Sequence, residues 1–174
     1  VIAHELGHVA GGHVIRSSEG IKAATGITIL SLLIGVAAMA AGAGEAGAGI
    51  MAAGQQAAMG KFLAFNRTQE SSADQAGASY LAKSGISGRG SVAIFKKLQN
   101  LEFRYGYSPK DDDAFFSTHP MTGDRIQTLE DTYQKEPAWN RPVDPALEVR
   151  FQRAKAKLLG YLAENPRHAH GRVI

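Results

Sequence analysis

Residues four to eight, His4-Glu5-Leu6-Gly7-His8, constrain this chain more than any other stretch. Two imidazoles four positions apart share one face of a helix, so they can converge on a single ion while Glu5 lies beside the open coordination position. Zinc fits this pattern: three protein ligands leave a fourth position for water and lower its pKa to about 7, where a nearby carboxylate can take its proton. The chemistry this permits is hydrolysis. A third ligand must then come from elsewhere in the chain.

The neighbouring His13 is a poor candidate for that ligand. A longer form of the motif places a histidine six residues after the second, and that position is Val14. On a continuous helix turning ~100° per residue, His13 lies about 140° around from His8. It is expected to be a surface or second-layer residue.

With no cysteine in the chain, the third ligand must be His, Asp or Glu. Glu70 is the best candidate, in a proline-free stretch of good helix formers running from Asn66 to Gly77. Asp74, one turn later, would reach the same wall and could accept the free N–H of a ligating imidazole. A further segment, Ser117-Thr118-His119-Pro120, places His119 at a loop-to-helix junction, because proline suits a first helical turn and disfavours helix in the residue before it. His119 could stabilise an oxyanion or act as a fourth zinc ligand in a resting state. Arg125, on the following helix, could bind a carboxylate or support a substrate carbonyl or oxyanion.

Together, His4-Glu5-Leu6-Gly7-His8, Glu70 with Ala73-Asp74 and Gly77, and His119-Pro120 with Arg125 resemble the zinc metallopeptidase family that includes HtpX, BepA and the CAAX prenyl proteases. The likeness runs from Val1 to about Tyr133. It is strongest to the BepA-like bacterial envelope branch, whose catalytic domain is followed by tetratricopeptide repeats. The resemblance implies a mainly α, zincin-type helical core with one Zn2+ per chain held by His4, His8 and Glu70, and His119 as a histidine that regulates or assists the site. It also implies a zinc endopeptidase of the periplasm or envelope, acting on misfolded or stalled envelope proteins and meeting outer-membrane assembly machinery through the repeats. The alternative is a latent, peptidase-like chaperone or binding module in which His119 caps the zinc. Family members carry a substantial segment before the motif, so a chain starting at Val1 is expected to be the N-terminally incomplete piece of a longer protein.

The remaining sequence suggests how the domain is organised. From Ala23 to Gly44 there is no charge, and its apolar centre resembles a membrane segment. A single crossing would put His4 and His8 on the opposite side from Glu70, and the return segment from Ala46 to Gly60 is short, Gly/Ala-rich and interrupted by Gln55 and Gln56. The better expectation is a small-residue-rich helical hairpin inserted at about 21–60, packed as a soluble core element, which is slightly favoured, or touching the membrane surface through 23–60. A membrane-perturbing hairpin is the third functional reading. Ser84-Gly85 suits a helix stop, Val92, Phe95, Leu98 and Leu101 mark a core helix, and Ile126, Leu129 and Tyr133 mark another. The run Asp111-Asp112-Asp113 reads as a solvated loop.

Prolines 137, 142 and 145 place a linker at 136–146 after a catalytic domain at 1–135. Leu147, Phe151, Leu158, Leu159 and Leu162 then mark a helix within 147–174, of the kind that opens a repeat region, with a basic face of Arg150, Arg153, Lys155 and Lys157. His168 and His170 fall in a tail expected to be disordered. The net charge of +3 comes with no nucleic-acid-binding motif, so attraction to anionic membrane surfaces is the milder inference. Absence of cysteine fits an oxidising envelope compartment.

Overall fold

The histidine motif sits on a short helix, α1 (Ile2–Ala10), of a computed structural model that describes residues 1–105 and 123–162. Its C-terminus is set by two glycines: Gly11 caps it, and Gly12 takes the left-handed conformation (φ 62°) that lets α2 (His13–Ala40) start in a new direction. A tight turn at Ala41–Ala43, with Gly42 at φ 87°, reverses the chain into α3 (Gly44–Lys83). After the left-handed Gly85 come α4 (Arg89–Tyr105) and, beyond the undescribed 106–122, α5 (Gly123–Gln134). The described residues contain helices and no strand, as expected for a mainly α fold.

The expected hairpin is present and longer than expected. Its second arm is continuous with the site helix: α3 runs without a break from the hairpin tip through Glu70 and Asp74. Its two arms pack through small residues. A Cβ on Gly54 would lie 2.0 Å from the Ser31 hydroxyl oxygen, and one on Gly47 would lie 2.5 Å from the Gly35 carbonyl oxygen. Such close backbone approach confines the contact to a narrow stripe. The remaining faces are exposed, including Leu30, Leu33, Ile34 and Val36. Only 11% of the most apolar window of α2 is buried, so the segment is not the soluble core helix that was favoured.

The core of the first unit (Val1–Trp139) lies instead where α3, α4 and α5 meet. Ala78, Val92, Phe95, Ile126, Leu129 and Tyr133 form it, with Leu81, Ile94, Leu98 and Trp139 packed against it. The spacing of these residues in the sequence predicted both helical stripes. Leu101 lies beyond the described side chains. Part of the expected linker is built into this unit: Pro137–Asn140 forms a 3-10 turn with Ala138 buried, and the Trp139 carbonyl accepts the Ser87 hydroxyl at 2.8 Å. The second unit (Asn140–Ile174) contains α6 (Pro145–Leu162), started by Pro145 and capped by Asp144, whose carboxylate accepts the Ala146 N–H at 2.9 Å. His168 and His170 lie outside the described residues, as do Asp111–Asp113.

Candidate metal centre

What brings the site together is the crossing of α1 over α3. Gly7 lies directly on the α3 backbone, where a Cβ would come within 2.6 Å of the Ala73 carbonyl oxygen, and one on Gly77 would come within 3.1 Å of the His4 nitrogen. Gly7, Ala73 and Gly77 are therefore the small residues that let two helices touch closely enough for short acidic side chains to reach the imidazoles. Glu70 and Asp74, one turn apart on α3, both face α1.

The three expected ligands converge. His4 Nε2 and His8 Nε2 are 3.1 Å apart, His4 Nε2 is 3.5 Å from Glu70 Oε2, and His8 Nε2 is 3.2 Å from Glu70 Oε1. Donors held at 2.0–2.2 Å around a tetrahedral zinc are about 3.4 Å from one another, so this spacing suits one ion. His4, His8 and Glu70 are also the one such cluster found among the described residues. Glu5, on the turn between the two histidines, is half-buried.

Asp74 and Arg125 secure this triangle from behind. His4 Nδ1 lies 2.8 Å from Asp74 Oδ1, which holds the proton on Nδ1 and leaves Nε2 facing the ligand set. The Arg125 guanidinium grips both carboxylates: Nε and Nη2 donate to Asp74, the latter at 2.9 Å, and Nη1 reaches Glu70 Oε2 at 2.9 Å. Phe95, almost fully buried, stands edge-on to His4 and lies beneath the Arg125 guanidinium, keeping water from this pair. Arg125 is thus directed at the chain's own carboxylates.

Electrostatics follow from these contacts. Burial alone would depress the His4 pKa, but its hydrogen bonds to the Asp74 and Glu70 carboxylates outweigh it and raise the pKa to about 9. Burial would raise that of Asp74, and the Arg125 and His4 hydrogen bonds overcome it and hold the carboxyl below its ordinary value. Arg125 is pushed higher still: its burial is outweighed by Asp74 and Glu70.

His13 is not where a continuous helix would put it. Because the chain breaks at Gly11-Gly12, the relevant geometry is that of a second helix, and its first residue is buried against the site with Nδ1 2.9 Å from His8 Nδ1. It is a second-layer residue, outside the ligand triangle. Burial, and then the Arg16 charge, lower its pKa. The two adjacent glycines were the available signal for this turn. His119 lies outside the described residues.

Comparison with known proteins bears on this geometry. The profile described as peptidase family M48 matches residues 1–133. The chain belongs to peptidase family M48. A Vibrio cholerae protein with the provisional name beta-barrel assembly-enhancing protease is 29% identical over 163 residues, covering 94% of this chain and 32% of the relative. The Escherichia coli metalloprotease LoiP is 33% identical over 137 residues, covering 75% of this chain and 47% of the relative. The chain thus spans about a third and about a half, respectively, of the length of these curated relatives. No solved structure gives a significant match.

Proposed function

We propose that this chain carries the catalytic centre of a zinc endopeptidase of the bacterial envelope, acting on misfolded or stalled envelope proteins. The observation that carries the reading is the convergence of His4, His8 and Glu70 donor atoms to within 4.8 Å of one another, with Glu5 on the same helix as the two histidines. His4, His8 and Glu70 would hold a zinc ion, which when bound would supply Lewis acidity toward a water and a peptide carbonyl. Glu5 takes the proton of the attacking water and delivers it to the departing amine. His4 keeps its ligand nitrogen available by donating its other N–H to Asp74. Arg125 keeps Asp74 ionised and holds both Asp74 and Glu70 in place. The Vibrio relative's name, which links a protease to β-barrel assembly, supports this choice of substrate class.

The test is Glu5→Gln. The expected variant keeps one zinc per chain and loses cleavage of an unfolded protein by 10²–10⁴-fold, as for loss of a general base. Turnover retained in that variant would overturn the mechanism. A wild-type chain that holds zinc and binds unfolded protein without cleaving it would favour the latent chaperone reading.

The hairpin supports contact with a membrane surface. Its register sets Gly20 against Phe65, Ser31 against Gly54 and Gly35 against Met51, which puts exposed Lys22 and Lys61 at a similar level, below a stretch whose one charged residue is Glu45 at the tip. Cations at that level fit anionic headgroups, with the exposed apolar residues of α2 beyond them, such as Leu30, Leu33 and Ile34, against the membrane interface. Because α3 returns the chain, His4, His8 and Glu70 stay on one side however deeply the tip enters. Sedimentation with anionic vesicles, lost on replacing Leu30 and Leu33 with Gln, is the expected result. Binding unaffected by those changes would remove the membrane role.

A further inference from the structure

We propose that His13 is the positioning residue of the second zinc histidine, accepting the Nδ1–H of His8 and thereby fixing the tautomer in which His8 Nε2 faces the metal. This rests on the metal-centre reading above. The two ligand histidines need the same thing, a partner on Nδ1. For His4 the partner is a carboxylate, Asp74. For His8 the nitrogen 2.9 Å away belongs to His13.

The tautomers follow from counting protons. In a contact between two ring nitrogens, one donates and the other accepts. His8 Nε2 points into the triangle, 3.2 Å from Glu70 Oε1 and 3.1 Å from His4 Nε2, and must be unprotonated to bind an ion. The proton of neutral His8 is therefore on Nδ1, His13 Nδ1 accepts it, and His13 carries its own proton on Nε2. The reverse arrangement would put a proton on His8 Nε2, where the metal must sit.

The local chain is shaped for this contact. His13 is 5% exposed, and the rings of His8 and His13 meet edge to face with centroids 4.8 Å apart. The ring edge lies over Gly11, where a Cβ would be 2.4 Å from His13 Nε2. Gly11 is thus the residue that leaves room for the ring, and left-handed Gly12 supplies the turn that swings His13 back toward α1. One ligand is consequently backed by an anion and the other by a neutral ring.

The experiment pairs zinc affinity, from competition with a chelator, with the histidine tautomers read by ¹⁵N NMR. Wild type, His13→Phe, His13→Asn and Gly11→Ala are compared. Wild type should show His8 protonated on Nδ1. His13→Phe keeps the bulk and removes the acceptor, so zinc affinity should fall 10–100-fold, the usual effect of losing such a partner. His13→Asn returns an acceptor and should recover most of the affinity, a rescue that a purely packing role would not give. Gly11→Ala should weaken zinc binding by displacing the ring. His13→Phe with wild-type affinity, or a wild-type His8 protonated on Nε2, would overturn the proposal. A wild type that binds no zinc would overturn the metal centre itself, which separates the two failures.

Discussion

Two stretches of the same helix treat their side chains in opposite ways. Around Glu70 to Ala78, α3 buries two carboxylates beside two imidazoles and a guanidinium. Around Gly44 to Leu63, it leaves apolar residues such as Met59 and Leu63 in the open and buries mainly Gly47, Gly54 and Ala58. The contrast teaches what each stretch is for. Buried charges persist only where each has a partner, and removing one partner exposes the cost of the others. Exposed apolar faces persist only where something other than the chain's own core covers them, and here the arms hold together through a stripe too narrow to hide their outer sides.

The comparison is broken most forcefully at Arg125. Arg125→Met should leave Asp74 and Glu70 buried without their cation and destabilise the metal-free chain by about 3–5 kcal/mol, read by urea unfolding. A loss under ~1 kcal/mol would mean that the carboxylates are not held as described.

A smaller effect should come from pH, with opposite signs at His4 and Asp74. His4 has its pKa raised in the folded state, so its contribution to stability is fully present below about 6.5 and is lost as pH rises toward about 9. The depressed pKa of Asp74 acts in the other direction, with a contribution lost only as pH falls into the acidic range. With a chelator present, the melting temperature should therefore drop by several degrees between pH 6 and pH 9.5. Zinc should flatten that drop, because the ligand nitrogen then carries no proton. A chelated protein that gains stability over this range would contradict the His4 environment.

The smallest effect sharpens the other half of the comparison. Leu33→Gln, at a 65% exposed position on the hairpin, should change stability by no more than ~0.5 kcal/mol while reducing vesicle binding. A loss of 2 kcal/mol or more would mean that this face is packed in solution.

Much of this was legible in the sequence, for reasons that differ between regions. The pairing of His4 with His8, the following Glu70 and Asp74, and the stripes Val92-Phe95-Leu98 and Ile126-Leu129-Tyr133 are all local helical spacings. They need only the 3.6-residue repeat. The position of His13 was not legible from spacing alone, since it depends on one left-handed glycine that cancels the continuous-helix geometry. The grip of Arg125 on Asp74, 51 positions away in sequence, and on the still more distant Glu70 depends on how α5 docks on α3. The exposure of the hairpin was likewise misjudged because an uncharged run reads the same whether it faces a core or a lipid. The decisive fact, that small residues on both arms meet each other, is a property of the pair.

The most direct test of the central claim is the zinc content of the purified chain and of its Glu70→Ala variant, measured by mass spectrometry after loosely bound ions are removed. About one zinc per wild-type chain, with almost none in the variant, is the predicted result. A wild-type chain without zinc, or a variant that holds it as well as the wild type, would contradict the assembly of His4, His8 and Glu70 into one metal centre.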